Sequence, residues 1–379
     1  MGIIVYLLIG ALIILLNVLA WNSVSFCDLY LENIFPIWVN TYGRITGLFP
    51  FSVGEVLIVA GIVLVVFAVL LGMVLIASLL MTRCRANGKL YRFGKGFYRF
   101  FAWTVLLVCL IMTLNCFILY HASTFSETYY GEDKDDYTPE ELITVYNMVA
   151  SQCNELSLGI ERDSSGTVLY MGNQQAAEEA IRLMQKLGEQ YPRLQGWYPR
   201  PKPLYFSDFM CQQYMQGYYF PFSMEANYND VMYPLNIPPT MCHELAHLRG
   251  YIYEDEANFI AYLACVQSED AFIRYSGYLS VLNYLSNDLY KMKKNNPDAY
   301  EKAIFLVKPV AVTEQVKEDN IFVTPEEWDR INGKAVIDTE TVTRATDTLV
   351  DANLKINGVS DGKISYSRVV KLLLQYYCR

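Results

Sequence analysis

Histidine is nearly absent from this chain: 379 residues contain three. Charge is scarce as well, at 18 % against 53 % hydrophobic residues. No CxxC pair occurs, so the nine cysteines present neither a thiolate zinc-knuckle pattern nor disulfide-scaffold spacing. No internal repeat or low-complexity tract is visible, which removes solenoid and low-complexity readings. The most telling absence is local. Ile3–Trp21, Val56–Met81 and Phe101–Tyr120 contain no Asp, Glu, Lys or Arg over 19, 26 and 20 residues.

Each of these runs can cross a hydrocarbon core of about 30 Å at roughly 1.5 Å per residue. Trp21, Tyr98, Trp103 and Tyr120 stand near their ends, as interfacial aromatics do. Three transmembrane helices are expected in a region 1–121, with spans at about 3–21, 56–81 and 101–120. The segment between the second and third runs carries Arg83, Arg85, Lys89, Arg92, Lys95 and Arg99 and no acid, whereas 22–54 has only Arg44 as a basic residue. The positive-inside rule puts 83–100 in the cytoplasm. The N-terminus is then cytoplasmic, and 122–379 is extracytoplasmic. The first run has no basic stretch before it and no small-x-small cleavage site, so an uncleaved anchor is expected.

Seven basic and three acidic residues precede position 122, leaving 23 basic and 36 acidic beyond it, a net charge of −13. That sign excludes nucleic acid as a partner and disfavours anionic head groups. The outer part is long enough to bury its own core. Residues 122–137 read as a linker. Thr138-Pro-Glu-Glu opens a helix to about Leu156, and Gly172–Gln190 reads as a second. Leu204–Ser207 is a short strand candidate, and Gly217–Ser223 is another, kept to a sheet edge by Pro221. Tyr219–Asn227 is read as an edge strand able to align an extended peptide, or as plain aromatic packing. Further helices are expected from Pro238, with Thr240 as its cap and Gly250 as its stop, then over Glu254–Ser268, Ala271–Met292, from Thr324, over 335–353 and over Tyr366–Tyr377. Cys242 and Cys265 read as small buried residues.

Two of the three histidines stand in the pentapeptide His243-Glu244-Leu245-Ala246-His247. On a helix, positions i and i+4 share a face, so both rings can address one metal ion, with Glu244 placed as general base. No later histidine exists, so a third ligand has to be a carboxylate, and Glu254 and Glu256 compete. Glu254 is preferred because Asn258 follows at i+4, where an amide can hydrogen-bond a ligating ring, and because Ala261 and Cys265 keep that face small. Tyr218, Tyr219, Tyr251 and Tyr253 are candidates to steady an oxyanion. Arg249 and Asp255 read as helix-end charges, and Glu225 as a residue that orients the site or caps a turn.

These residues carry a resemblance. His243–His247 with Glu254-x-Glu-Ala-Asn258-Phe259-x-Ala261 resembles the gluzincin clan of zinc peptidases, of which thermolysin is the type, and its second half is similar to the ImmA/IrrE-type peptidases. The whole chain looks like a family of bacterial membrane proteins of unknown function, through its N-terminal helices, HELAH…EDEANFIAYLAC and a closing SYSRVVKLLL. The expected elements make a membrane-anchored, mainly α protein whose outer α+β domain has a small sheet, and the resemblance implies that this domain is zincin-like. It implies Zn²⁺ on His243, His247 and Glu254, with Glu244 taking a proton from water and returning one to the leaving amine. The expected activity is peptide hydrolysis at the outer face of the bilayer, on a peptide or protein substrate. A non-catalytic zinc scaffold or receptor, and a zinc amidase acting on cell-wall peptides, are the competing expectations.

Overall fold

Three long charge-free runs fold as three long helices. The computed structural model describes residues 2–81, 88–131, 137–164, 166–356 and 368–378. Arg83, Cys84, Arg85, linker residues 132–136 and the expected helix start at Tyr366 lie outside the described residues. Helix α1 spans Gly2–Asn22, α2 Val24–Asn33, α3 Val53–Met81 and α4 Gly88–Met112. The last continues through a π-helical turn, Thr113–Phe117, and a 3₁₀ turn, Leu119–His121. The helices Gly2–Asn22, Val53–Leu80 and Gly88–His121 are long and apolar enough to cross a membrane. Leu7, Leu15, Val63, Val66 and Leu107 are exposed on them, as lipid-facing residues are in the absence of lipid. The third helix starts earlier than its charge-free run, so Lys89, Arg92, Lys95 and Arg99 occupy its opening turns rather than a loop.

The segment after α1 is helical rather than a bare loop. Ser23 caps α2 through the Phe26 N–H, and short helical turns follow over Phe35–Trp38, Val39–Gly43 and Arg44–Thr46. Cys27, Phe35 and Val39 are buried there. They belong to one apolar cluster that runs from Ala20 through the helices beyond the spans to Leu374. The supposed linker also enters this core. Thr124 and Glu127 form a capping box on the helix Phe125–Tyr129, and Phe125 is fully buried.

Outside the spans, α5 (Pro139–Ser157) begins with the capping box of Thr138 and Glu141, and α6 covers Asn173–Gln190. Strands β1 (Lys202–Pro203), β2 (Gly217–Phe220) and β3 (Glu225–Tyr228) form a mixed sheet in the order β1-β3-β2. Lys202 pairs in parallel with Asn227, and β2 pairs antiparallel to β3 from Gly217↔Tyr228 to Phe220↔Glu225. The strand expected at Leu204–Ser207 lies just upstream instead, and Ser207 begins a short helix to Gln212. The single edge strand expected over 219–227 is a hairpin. Pro221 ends β2, and Met224 reverses the chain with φ of 53°.

Helices α7 (Ile237–His247), α8 (Glu254–Val266), α9 (Ala271–Asn295) and α10 (Arg368–Tyr377) complete the centre. Helix α7 packs against α6, α8 and the β2–β3 hairpin, and α8 packs in turn on α9 and α10. Shorter helices, including Pro325–Lys334 capped by Thr324, surround this arrangement. The protein is therefore mainly helical, with three candidate spans and a small three-stranded sheet. The eight described cysteines are free, and the Sγ atoms of Cys242 and Cys265 are 3.9 Å apart in the core.

Candidate metal centre

Helix α7 opens with Pro238 and Pro239 in its first turn, where a missing N–H costs nothing. Asn236, not Thr240, precedes the helix as its cap residue, and no side chain caps it. The Thr240 hydroxyl instead donates to Asn236 O at 2.7 Å and reaches Gln216 Oε1 at 3.0 Å. The helix ends at His247, and Gly250 takes φ of +79°. A Cβ at Gly250 would stand 2.2 Å from Leu31 Cδ1, so both backbone conformation and α2 demand glycine. Arg193 clamps this return, donating to Arg249 O at 3.2 Å and Gly250 O at 2.6 Å while lying 3.9 Å over the Tyr251 ring. Thus clamped, the six-residue turn brings α8 back against α7.

The turn delivers Glu254 to the histidines. One ligand atom from each of His243, His247 and Glu254 lies within 4.8 Å of the others. The two Nε2 atoms are 3.0 Å apart, His243 Nε2 is 3.1 Å from Glu254 Oε2, and His247 Nε2 is 3.8 Å from Glu254 Oε1. Two nitrogens each bound at about 2.0–2.1 Å in a tetrahedral shell would be roughly 3.3 Å apart. Glu254 is 36 % exposed, against 13 % and 6 % for the histidines, so the centre opens on the glutamate side.

The far side of each ring is engaged as well. His247 Nδ1 lies 2.6 Å from Tyr251 O, which can only accept, so Nδ1 carries the proton. His243 Nδ1 lies 2.9 Å from Asn258 Oδ1, with the amide nitrogen turned 3.4 Å towards the Tyr284 hydroxyl. The hydrogen-bond network assigns a proton to Nδ1 here too. With both rings neutral, bare Nε2 lone pairs would face one another and a carboxylate. Such an arrangement calls for a cation.

The electrostatics agree with this requirement. Burial alone would lower His243, but its hydrogen bond to Glu254 and that carboxylate's charge raise it to about 9. Burial would raise Glu254, yet His243 holds it down at about 2. His247 is pushed down to about 4 by burial and by the neighbouring His243 charge. One positive charge is favoured between the ligands, and a second proton is resisted.

Glu244 stands on the same helix, 3 % exposed, and its Oε2 has no hydrogen-bond partner among the described residues. Burial raises it to about 8. Its Oε1 faces the start of β2, where a Cβ on Gly217 would come within 2.7 Å of that oxygen and 2.5 Å of Asn227 O. Glu256 points elsewhere. It accepts the Phe125 N–H and is pushed up to about 8 by burial and by Asp255. Asp255 is buried, and Arg249 donates to Trp197 O at 2.5 Å and lies 4.3 Å over the Tyr198 ring, so its contacts are structural.

Among the tyrosines, Tyr219 has its ring 6.2 Å from that of His247 but donates its hydroxyl to Asn115 O, and Tyr253 donates to Tyr120 O. Tyr251 is enclosed beneath Arg193, and Tyr218 sits on β2 beside Phe220. The phenol beside Asn258 and Glu254 comes from α9: Tyr284, raised to about 12 by burial and the Glu254 charge. No local sequence signal marks Tyr284 or Gly217. Glu225 is not at the centre. It accepts the Val53 and Gly54 N–H groups at 3.2 and 2.8 Å and pairs with Lys202.

The chain belongs to the family described as Protein of unknown function (DUF3810), whose model matches residues 30–374. No curated protein and no solved structure matches it.

Proposed function

We propose that this member of the family is a membrane-bound, zinc-dependent hydrolase of peptide bonds. The observation that carries the reading is the pair of Nε2 lone pairs converging with Glu254, each fixed from behind by an acceptor at Nδ1. His243, His247 and Glu254 would hold the ion. A donor set of two imidazoles and one carboxylate suits Zn²⁺ and leaves a position open, whereas structural zinc sites close four protein ligands around the metal. When bound, Zn²⁺ would supply a Lewis acid that polarises a carbonyl and acidifies water. The likeness of His243–His247 and Glu254–Asn258 to the gluzincin pattern supports the same reading.

Glu244 serves as the proton carrier. Its buried carboxylate takes a proton from the water whose oxygen adds to the peptide carbonyl, and gives one to the amine nitrogen as the C–N bond breaks. Strand β2, at the edge of the sheet, offers backbone groups to align an extended peptide across α7. The basic residues at the start of the third span favour that end in the cytoplasm, and the metal centre is accordingly read as extracytoplasmic.

The test is Glu244→Gln in the full chain. It should keep the metal and lose about 10²–10⁴-fold in cleavage of a peptide library. Full activity in that variant would sink the mechanism. Stoichiometric zinc in a wild-type protein that cleaves no peptide would favour the scaffold.

A further inference from the structure

The β2–β3 hairpin is attached to the spans, not merely near them. At its tip, Pro221 O accepts the Asn115 amide at 2.8 Å, and Ser223 O accepts the Thr46 hydroxyl at 2.7 Å. The Phe220 ring lies on Gly54, where a Cβ would meet Phe220 Cδ1 at 2.8 Å. Glu225 holds the first N–H groups of the second span, and Glu55, one residue further, accepts the N–H groups of Tyr205 and Phe206 at 2.8 and 2.9 Å. Exposed Leu48, Phe49, Phe51, Tyr205 and Phe206 surround this junction. Apolar and aromatic groups at a span end mark the level of the bilayer interface.

The same strand reaches the metal centre at its other end. Gly217 abuts Glu244, and Phe220 abuts the head of the second span. Four residues of strand cover about 10 Å at roughly 3.3 Å each. From the third span, Tyr219 bridges Asn115 O to the His247 ring, a path on the order of 12 Å or about four extended residues. A peptide paired along β2 would therefore have one end over Glu244 and the other at the membrane boundary.

We infer that the substrate is a polypeptide itself anchored in the membrane, cut in the extended segment next to its anchor. This rests on the proposed peptidase reading of the same centre. A site serving freely diffusing peptides would work equally well on a tether; here the aligning strand is docked on two spans. Anchoring also confines the substrate to the surface where β2 lies, replacing bulk concentration with an effective concentration that can reach millimolar.

The full chain in phosphatidylcholine–phosphatidylglycerol vesicles is given degenerate peptides of about 30 residues, roughly 100 Å when extended. They carry a dipalmitoyl anchor at the N-terminus, at the C-terminus, or not at all. Cut positions are mapped by mass spectrometry with Glu244→Gln as the blank. The expected result is cleavage concentrated within about ten residues of the anchor, with unanchored peptides cut at least about tenfold more slowly. Cuts spread evenly along anchored and unanchored peptides alike would overturn the inference and leave the peptidase reading standing. No cleavage above the Glu244→Gln blank with any peptide would overturn both.

Discussion

Asn258 holds no metal, yet its removal should weaken metal binding by a definite amount. Its Oδ1 is 2.9 Å from His243 Nδ1, and its amide nitrogen is 3.4 Å from the Tyr284 hydroxyl. In Asn258→Ala the His243 N–H loses its acceptor, and the ring is free to rotate or to move its proton to Nε2, the atom that faces Glu254. Groups that orient a ligating imidazole are worth about 10–100-fold in metal affinity, which is roughly 1.4–2.8 kcal/mol. Asn258→Asp keeps an acceptor at the same atom and should retain affinity. The assay is competition for Zn²⁺ against a chelator with full-length protein in detergent, run beside a thermal melt. Wild-type zinc affinity in Asn258→Ala, with an unchanged melt, would refute the claim that Nδ1 engagement prepares the centre.

Gly217→Ala places a methyl 2.5 Å from Asn227 O and 2.7 Å from Glu244 Oε1, so it should cost about 1–3 kcal/mol and lower kcat, both read on purified protein; unchanged kcat and Tm would contradict the close approach of β2 to α7. Lys202→Met strands the buried Glu225 carboxylate at the head of the second span and should destabilise by about 3–5 kcal/mol in denaturant titrations. The double variant with Glu225→Gln should recover part of that loss, and full stability of the single variant would show that the pair does not hold the junction. Glu256 is raised to about 8 in the folded protein, so its contribution is complete below its ordinary value near 4.5 and is lost as pH rises through 8. Glu256→Gln should flatten that part of the stability profile in pH-dependent melts, and an identical profile would contradict it.

The readable features were those that local periodicity dictates. Runs without charge mark the spans because only apolar side chains tolerate lipid on all faces, and the i, i+4 spacing of His243 and His247 forces their rings to one side of a helix. Asn258 likewise stands one turn beyond Glu254. What escaped was set by tertiary contact. The preference for Glu254 over Glu256 was legible through Asn258, but not what enforces it: a turn clamped by Arg193, 56 positions before Arg249, and the Phe125 N–H that takes up Glu256. The hairpin was hidden because Pro221 reads as an edge strand residue, while the reversal occurs at Met224, whose positive φ no sequence rule assigns to methionine. Glu225, expected at the site or on a turn, caps a span that precedes it by about 170 residues. The helices between α1 and α3 were missed because their buried face is completed by residues beyond position 122.

The central claim is most directly tested by the zinc content of the full-length protein after loading and gel filtration, measured for wild type, Glu254→Ala and Glu256→Gln. The account predicts one zinc per chain in wild type and Glu256→Gln, and loss of it in Glu254→Ala. Wild-type protein that retains no zinc, or Glu254→Ala that retains as much as wild type, would contradict it.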